Sequence, residues 1–273
     1  MSFLTLRSGE LSWLTSSLLS GASGITHGFS TRCGGVSVSP WDTLNLGVGR
    51  GDDPSAVEEN YRRFCNAVHT DITRTVLSKQ VHEDTVRIIT NADAGKGLFR
   101  KRDYTADALI TGEPGLALTV FSADCGILLL HDPVTGCIGA CHAGWRGCAL
   151  GIVEKTVGEL HRVFGAKPEN LLAAVGPAIG PCCFETDRDV PEAMLAALGG
   201  DAEPFLHASG GGKWHVDLPG LNVLWLRRAG VPAQQIDLCT LCTACHPELF
   251  WSHRKMGAAR GAQIAMIALS SHL

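Results

Sequence analysis

The stretch FSADCGILLLHDPVTGCIGACHAGWRG, residues 121–147, decides how the chain is read. Two apolar runs, 126–132 and 137–144, flank the segment HDPVTG at 131–136, whose Asp-Pro and closing Gly are residues that reverse a chain. They are therefore read as a hairpin. A turn centred on Pro133 and Val134 sets residues 125 and 142 opposite each other across it. Cys125, preceded by Asp124, and His142, followed by the turn Gly144-Trp145-Arg146-Gly147, become neighbours at the ends of adjacent strands. A helix beginning after Gly147 adds free N–H groups and positive potential beside them.

Further short β-rich runs lie at 75–82, 85–90 and 117–121, and strand-like pieces at 171–177, 235–240, 249–254 and 262–269. Between them ALGIVEKTVGELHRVFG (149–165) sets Leu150, Val153, Val157, Leu160 and Val163 at three- and four-residue steps, the pattern of an amphipathic helix. Two more helices are expected at 190–198, with Pro191 in the first turn, and at 218–230, ended by Gly230. Hairpin-linked strands followed by helices predict an α+β fold with antiparallel or mixed sheets. No strand leads into G-x-G-x-x-G, which removes the Rossmann signature. Nothing repeats at a fixed period and no linker divides two compositions, so one domain is expected over 1–273.

With 273 residues, 45% of them hydrophobic, the chain can bury a large core. A net charge of −4 without a long basic run excludes the electrostatic footprint of nucleic-acid binding, and a small-molecule or protein substrate is expected. No apolar run approaches bilayer length, so the mean hydropathy of +0.12 reports a core and no membrane partner is expected. LSWLTSSLLSGA (11–22) is broken by Ser and Thr and preceded by Glu10, unlike a signal segment, and a cytoplasmic location is the expectation. Eleven cysteines, an odd number with Cys182 and Cys183 adjacent, fit reduced thiols better than a disulfide framework.

Cys125 and His142 admit two chemistries: thiolate and imidazole ligands of a metal, or a nucleophile and its general base. A third ligand favours the metal, and His82, in SKQVHED with Glu83 and Asp84 behind it, is the candidate. A rival group, LCTLCTACHPE (238–248), sets Cys239, Cys242, Cys245 and His246 at metal-like spacing. The chain has no C-x-x-C outside this run, and Cys182–Cys183 reads as a poor complement, so packed thiols are expected there. The glycine-rich loop 26–54, with Ser30, Thr31, Arg32 and Asn45, is of the kind that wraps an oxygen-rich ligand. Arg32, Arg146 and Arg254 are candidates for a guanidinium cluster that holds phosphate or carboxylate. Eleven histidines without an H-x-H pair make multicopper chemistry a poor fit.

THGFSTRCGGVS, KQVHED, SADC, GACHAGWRG, AVGPAIGPCCFE and ELFWSHR, in this order, resemble the YfiH-like family, also called polyphenol oxidase or laccase-domain proteins. The resemblance spans nearly the whole chain. It implies a single α+β domain with a layered α/β/β/α core, distantly similar to cytotoxic-necrotising-factor toxins. It also implies a metal held by His82, Cys125 and His142, with zinc preferred over copper. The implied activity is phosphorolysis of adenosine, inosine or methylthioadenosine to free base and ribose 1-phosphate, together with adenosine deamination. Two imidazoles and one thiolate leave zinc an open fourth position, as catalytic sites do. Deamination needs a carboxylate proton shuttle, for which Asp124 and Glu83 are nearest in sequence. Phosphorolysis needs cations for the phosphate, assigned to Arg32 and Arg146, with Asn45 near the sugar or base. The alternatives are a metal-free Cys125–His142 amidase acting on peptidoglycan precursors, a copper-dependent phenol oxidase, and a binding module whose metal is fully enclosed by protein.

Overall fold

Alternation within single strands builds the layers. Along Gln263–Leu269, Ile264, Met266 and Ala268 enter one apolar core while Ala265, Ile267 and Leu269 enter another. In the Gly126–Asp132 strand, Ile127 and Leu129 share that second core, and Leu128 and Leu130 face a third. Strands covered on both sides need apolar residues at every position, which is why these runs read as continuous rather than alternating. Each fully buried Leu, Ile or Val contributes about 1.5–3 kcal/mol.

The computed structural model describes residues 3–270; residues 1, 2 and 271–273 of the expected 1–273 domain lie outside the described residues. Two six-stranded mixed sheets stack face to face. The first runs, in spatial order, Phe3–Ser8, Leu11–Ser16, Ile25–Ser30, Gln263–Leu269, Ala117–Ser122 and Thr75–Leu77. The second runs Ile236–Leu238, Leu172–Val175, Gly126–Asp132, Cys137–Ala143, Ala108–Thr111 and Val86–Ile88. Helix Pro54–Ala67 covers the outer face of the first sheet with Val57, Tyr61, Phe64 and Cys65, and Asp53 caps it by accepting from Ser55 N–H. Helices Ile152–Phe164 and Leu218–Arg228 cover the second sheet. The result is the expected layered α/β/β/α core, with a small sheet of Glu185–Thr186, Lys213–Val216 and Leu206–Gly210 at its side. Among the described residues no helix is long and apolar enough to cross a membrane.

Several boundaries differ from the sequence reading. The helix after Gly147 is broken: Trp145–Ala149 and Ile152–Phe164 meet at Gly151, φ 74°, and Leu150 is left 48% exposed rather than on the apolar face. The 75–82 strand stops at Leu77, before the turn that carries His82. The 249–254 segment is no strand; Phe250 and Trp251 are buried in a turn, and the Gln263 side chain, rather than a ladder, accepts the Trp251 N–H. Strands at the N-terminus, the Pro54–Ala67 helix and the Leu206–Val216 hairpin were not anticipated.

The central hairpin forms with a different register. Asp132 pairs with Cys137 and Ile127 with His142, so the turn is centred one residue further along than expected. Asp132 Oδ1 accepts the Val134 N–H, and Gly136, φ 68°, donates to the Asp132 carbonyl, closing a four-residue loop. Cys125 consequently sits one residue beyond the last pair, Gly126 with Ala143.

Candidate metal centre and anion cleft

Asp107, at the entrance to the Ala108–Thr111 strand, is fully buried and organises the site. Its Oδ2 accepts the Val81 and Glu83 N–H groups at 3.0 and 3.1 Å, and its Oδ1 accepts the His82 N–H at 3.0 Å. Three backbone donors on one carboxylate hold the 81–83 turn, with His82 in the left-handed region at φ 63°. The same Oδ1 lies 2.8 Å from His142 Nδ1, while the Asp107 carbonyl accepts the His142 N–H at 2.7 Å. With Nδ1 engaged, Nε2 is the nitrogen His142 offers to the site, the carboxylate–histidine arrangement that orients metal ligands.

Cys125 arrives from the other side of the hairpin through Asp124, which is also left-handed, at φ 91°. Its Sγ lies 3.8 Å from His82 Nε2, and the His82 and His142 rings meet edge to face with centroids 4.9 Å apart. The three donor atoms lie within 4.8 Å of one another. A tetrahedral zinc with ordinary Zn–S and Zn–N bonds separates sulfur from nitrogen by about 3.6 Å, so the donor set fits such an ion. Gly144 leaves room for it: a Cβ there would stand 2.8 Å from the Cys125 sulfur.

Charge reinforces the fit. Burial opposes ionisation of Cys125, but the His142 and His82 rings outweigh it and bring the thiol down to about 6. Burial likewise opposes charge on His142, and the Cys125 thiolate and Asp107 carboxylate overcome it, raising the imidazole to about 9. Without a metal, both shifts favour the thiolate and imidazolium over the neutral pair. A metal ion held by these side chains would replace the imidazolium proton as the positive partner of the thiolate.

These donors form one wall of a small cleft of about 140 Å³. The remaining walls include Arg50, Lys79, Arg102 and Arg260 together with Val48 and Phe121, and no carboxylate is among the lining residues. Loss of water and the Arg102 charge hold Arg50 below the usual guanidinium range; burial and the Arg50 charge bring Arg260 down to about 10. Arg260 Nε is buried with no hydrogen-bond partner. Like charges crowded together with an unsatisfied donor describe a place for an anion.

The other expected site residues lie elsewhere. Arg32 stacks over Trp251 at 4.0 Å and donates to the Asp42 and Pro247 carbonyls, bracing the 26–54 loop. Asn45 is fully buried, accepting from Gly47 and Ala262 N–H and donating to Asp52. Arg146 is exposed over the Trp145 ring, and Arg254 donates to the Cys183 and Glu185 carbonyls. The guanidinium cluster expected from Arg32, Arg146 and Arg254 is thus replaced by Arg50, Arg102 and Arg260. Asp124, expected as a proton shuttle, braces two segments: its oxygens accept the Thr243 hydroxyl at 2.6 Å and the Arg254 N–H at 2.7 Å. Glu83 is exposed and outside the cleft lining. Sequence reading missed Asp107, which carries no local signal, and the cleft arginines. Arg50 between Gly49 and Gly51, and Arg260 before Gly261, had one available sign: glycine-flanked arginines in permissive loops.

Comparison with known proteins supplies an independent line. The sequence model of the family described as multi-copper polyphenol oxidoreductase laccase matches residues 26–270. Purine nucleoside phosphorylase YlmD of Geobacillus stearothermophilus is 34% identical over 246 residues, 89% of this chain and 90% of that protein. Purine nucleoside phosphorylase YfiH of Escherichia coli is 37% identical over 232 residues, 85% of this chain and 89% of that one. The crystal structure of the Bacillus licheniformis hypothetical protein YfiH superposes with a TM-score of 0.92 at 31% identity, covering 98% of this chain and 99% of the other.

Proposed function

The chain belongs to the multi-copper polyphenol oxidoreductase laccase family, the YfiH-like proteins, and from that premise we propose that it is a zinc-dependent purine nucleoside phosphorylase. The substrates of this reading are adenosine, inosine or methylthioadenosine with inorganic phosphate, in the cytoplasm. The observation that carries it is the convergence of Arg50, Arg102 and Arg260 on a cleft whose other wall is His82, Cys125 and His142. The names of the relatives point the same way.

In phosphorolysis a phosphate oxygen forms a bond to the anomeric carbon, the bond from that carbon to the purine nitrogen breaks, and its electron pair leaves with the base. Positive charge gathers on the sugar as this happens. The three guanidiniums hold the phosphate as an anion, relieve their own repulsion by doing so, and orient an oxygen toward the sugar. Phe121 and Val48 supply apolar surface for the base or sugar, and the partly enclosed cleft limits access of competing water. His82, Cys125 and His142 would hold the zinc, which would supply Lewis acidity at this wall of the cleft. Asp107 keeps the His142 ring in place throughout.

Adenosine deamination, also implied by the resemblance, asks for a carboxylate shuttle; the lining contains none, so the geometry supports phosphorolysis more strongly. Multicopper oxidation asks for clustered imidazoles, and among the described residues only His82 and His142 join this donor set. The thiolate–imidazolium pair backed by Asp107 gives the amidase reading its one specific support. Zinc-loaded protein is expected to convert nucleoside and phosphate to base and ribose 1-phosphate. Arg260→Ala is expected to raise the phosphate KM at least about tenfold, the scale of one lost charge-assisted contact. Nucleoside turnover unaffected by chelation and by His82→Ala would sink this reading, and amide hydrolysis surviving chelation would install the amidase instead.

A further inference from the structure

Eleven cysteines exceed what one metal centre uses, and four outside it converge. Strands Leu172–Val175 and Ile236–Leu238 pair in parallel, Val175 opposite Leu238, and the pairing continues past their ends. Cys239 N–H donates to the Val175 carbonyl, Ala178 bridges Cys242, and Thr243 N–H donates to the Ala178 carbonyl. That register delivers the 179–184 loop and the 242–245 turn to the same sheet end. Cys182, rejected above as a complement to the C-x-x-C pair, has its Sγ 3.4 Å from that of Cys245, and so does Cys183. The four sulfurs of Cys182, Cys183, Cys242 and Cys245 lie within 4.8 Å of one another. Cys239 instead packs between the main sheets, and His246 turns to Glu248.

A separation of 3.4 Å is too long for a disulfide bond of about 2.05 Å and near the roughly 3.8 Å edge of a tetrahedron with Zn–S bonds of about 2.3 Å. Cys242 Sγ accepts the Gly180 N–H at 3.2 Å, and the Cys242 carbonyl accepts the Cys245 and His246 N–H groups, closing the turn. An amide donor on the first sulfur of a C-x-x-C turn stabilises the charge of a metal-bound thiolate, which a neutral packed thiol has no need of. Gly180 permits the close approach, since a Cβ there would stand 3.3 Å from Cys242 Cβ.

We propose that Cys182, Cys183, Cys242 and Cys245 hold a second zinc ion in a closed, structural tetrathiolate site. Four protein ligands leave no open position, so the ion takes no part in chemistry. It ties together segments about sixty residues apart, which loop entropy makes worthwhile. Its turn also carries Thr243, and its loop carries Ile179, whose N–H donates to the Asp124 carbonyl. The site thus buttresses the left-handed residue that presents Cys125.

Metal analysis of the full chain, purified without added metal, tests the proposal independently of any activity. Two zinc ions per chain are expected, with one retained in His82→Ala/His142→Ala. Cys182→Ser/Cys245→Ser is expected to lose the other and melt several degrees lower. Should that cysteine variant not fold, cobalt loading of the histidine variant provides the reading: sulfur-to-cobalt charge-transfer absorption with intense tetrahedral bands, bleached by zinc. A histidine variant that binds neither metal, iron in place of zinc, or a Cys182–Cys245 disulfide in the purified protein overturns the proposal.

Discussion

Asp107 shows how much one side chain carries. It is a buried carboxylate whose burial would push its pKa up, yet the His142 ring and the backbone donors of Val81 and Glu83 hold it below the usual carboxylate value. Its charge therefore reaches both histidines, the 81–83 turn by backbone and His142 by ring. Asp107→Asn keeps the shape but puts an NH2 group against N–H donors or against the His142 ring, leaving at least one donor unsatisfied at a cost of about 1–3 kcal/mol. Zinc affinity is expected to fall about 10- to 100-fold, the usual loss when the partner of a metal-binding histidine is removed, measured by competition with a chromophoric chelator. A second reading separates this role from simple destabilisation. Asp107 helps raise His142, and the His142 charge in turn lowers Cys125. In metal-free protein, alkylation of Cys125 is expected to have its midpoint at about 6, with the reactive thiolate present above it and lost below. In Asp107→Asn that midpoint moves up. An unchanged midpoint with weakened zinc binding would mean the carboxylate acts only through the backbone turn.

At the scale of elements, the site is a junction where strands end. Gly126–Asp132 and Cys137–Ala143 stop at Gly126 and Ala143, and the residues just past those ends, Cys125 and Gly144, face each other. Gly144 has an ordinary φ of −63°, so Gly144→Ala strains no backbone; its methyl group meets the Cys125 sulfur at 2.8 Å and His82 Cδ2 at 3.3 Å. The variant is expected to fold with a melting temperature within a few degrees of the parent and to lose at least about tenfold in zinc affinity, since the ligand sulfur must move by tenths of an ångström. Equal zinc affinity in the two proteins would show that the cradle is looser than drawn. This junction also explains what was legible in the sequence. The hairpin runs, the helices covering them and the ligand trio announce themselves because strand periodicity, turn residues and metal-binding side chains are local signals. The hairpin centre was misplaced because Asp132 and Gly136 extend the loop through bonds that the segment HDPVTG does not display by composition. The Pro54–Ala67 helix was hidden by a polar face rich in Glu and Arg, and the segment around Trp251 imitates a strand because burial there comes from neighbours far along the chain. Arg50, Arg102 and Arg260 come from three separate loops, and only the folded sheets bring them to one cleft.

The whole molecule carries a net charge of −4, yet its cleft holds four cationic side chains and no lining carboxylate. Such a field, focused in a cleft of an otherwise acidic protein, attracts small anions. The arginines also destabilise one another in the free protein: Arg102 acts on Arg50, and Arg50 on Arg260. A ligand that binds only the folded state adds RT ln(1 + [L]/Kd), about 2.7 kcal/mol at one hundred times Kd. For a chain of this size each kcal/mol raises the melting temperature by about 2 °C, so saturating phosphate is expected to raise it by about 5 °C over the same ionic strength of chloride. Differential scanning fluorimetry with matched salts measures this directly. Arg50→Ala is expected to start more stable, because Arg260 and Arg102 lose a like-charged neighbour, and to gain much less from phosphate. Those two opposite shifts distinguish a built anion site from general salting effects, which stabilise parent and variant alike. An Arg50→Ala protein that gains as much from phosphate as the parent would place the anion elsewhere and leave the crowded guanidiniums without a ligand.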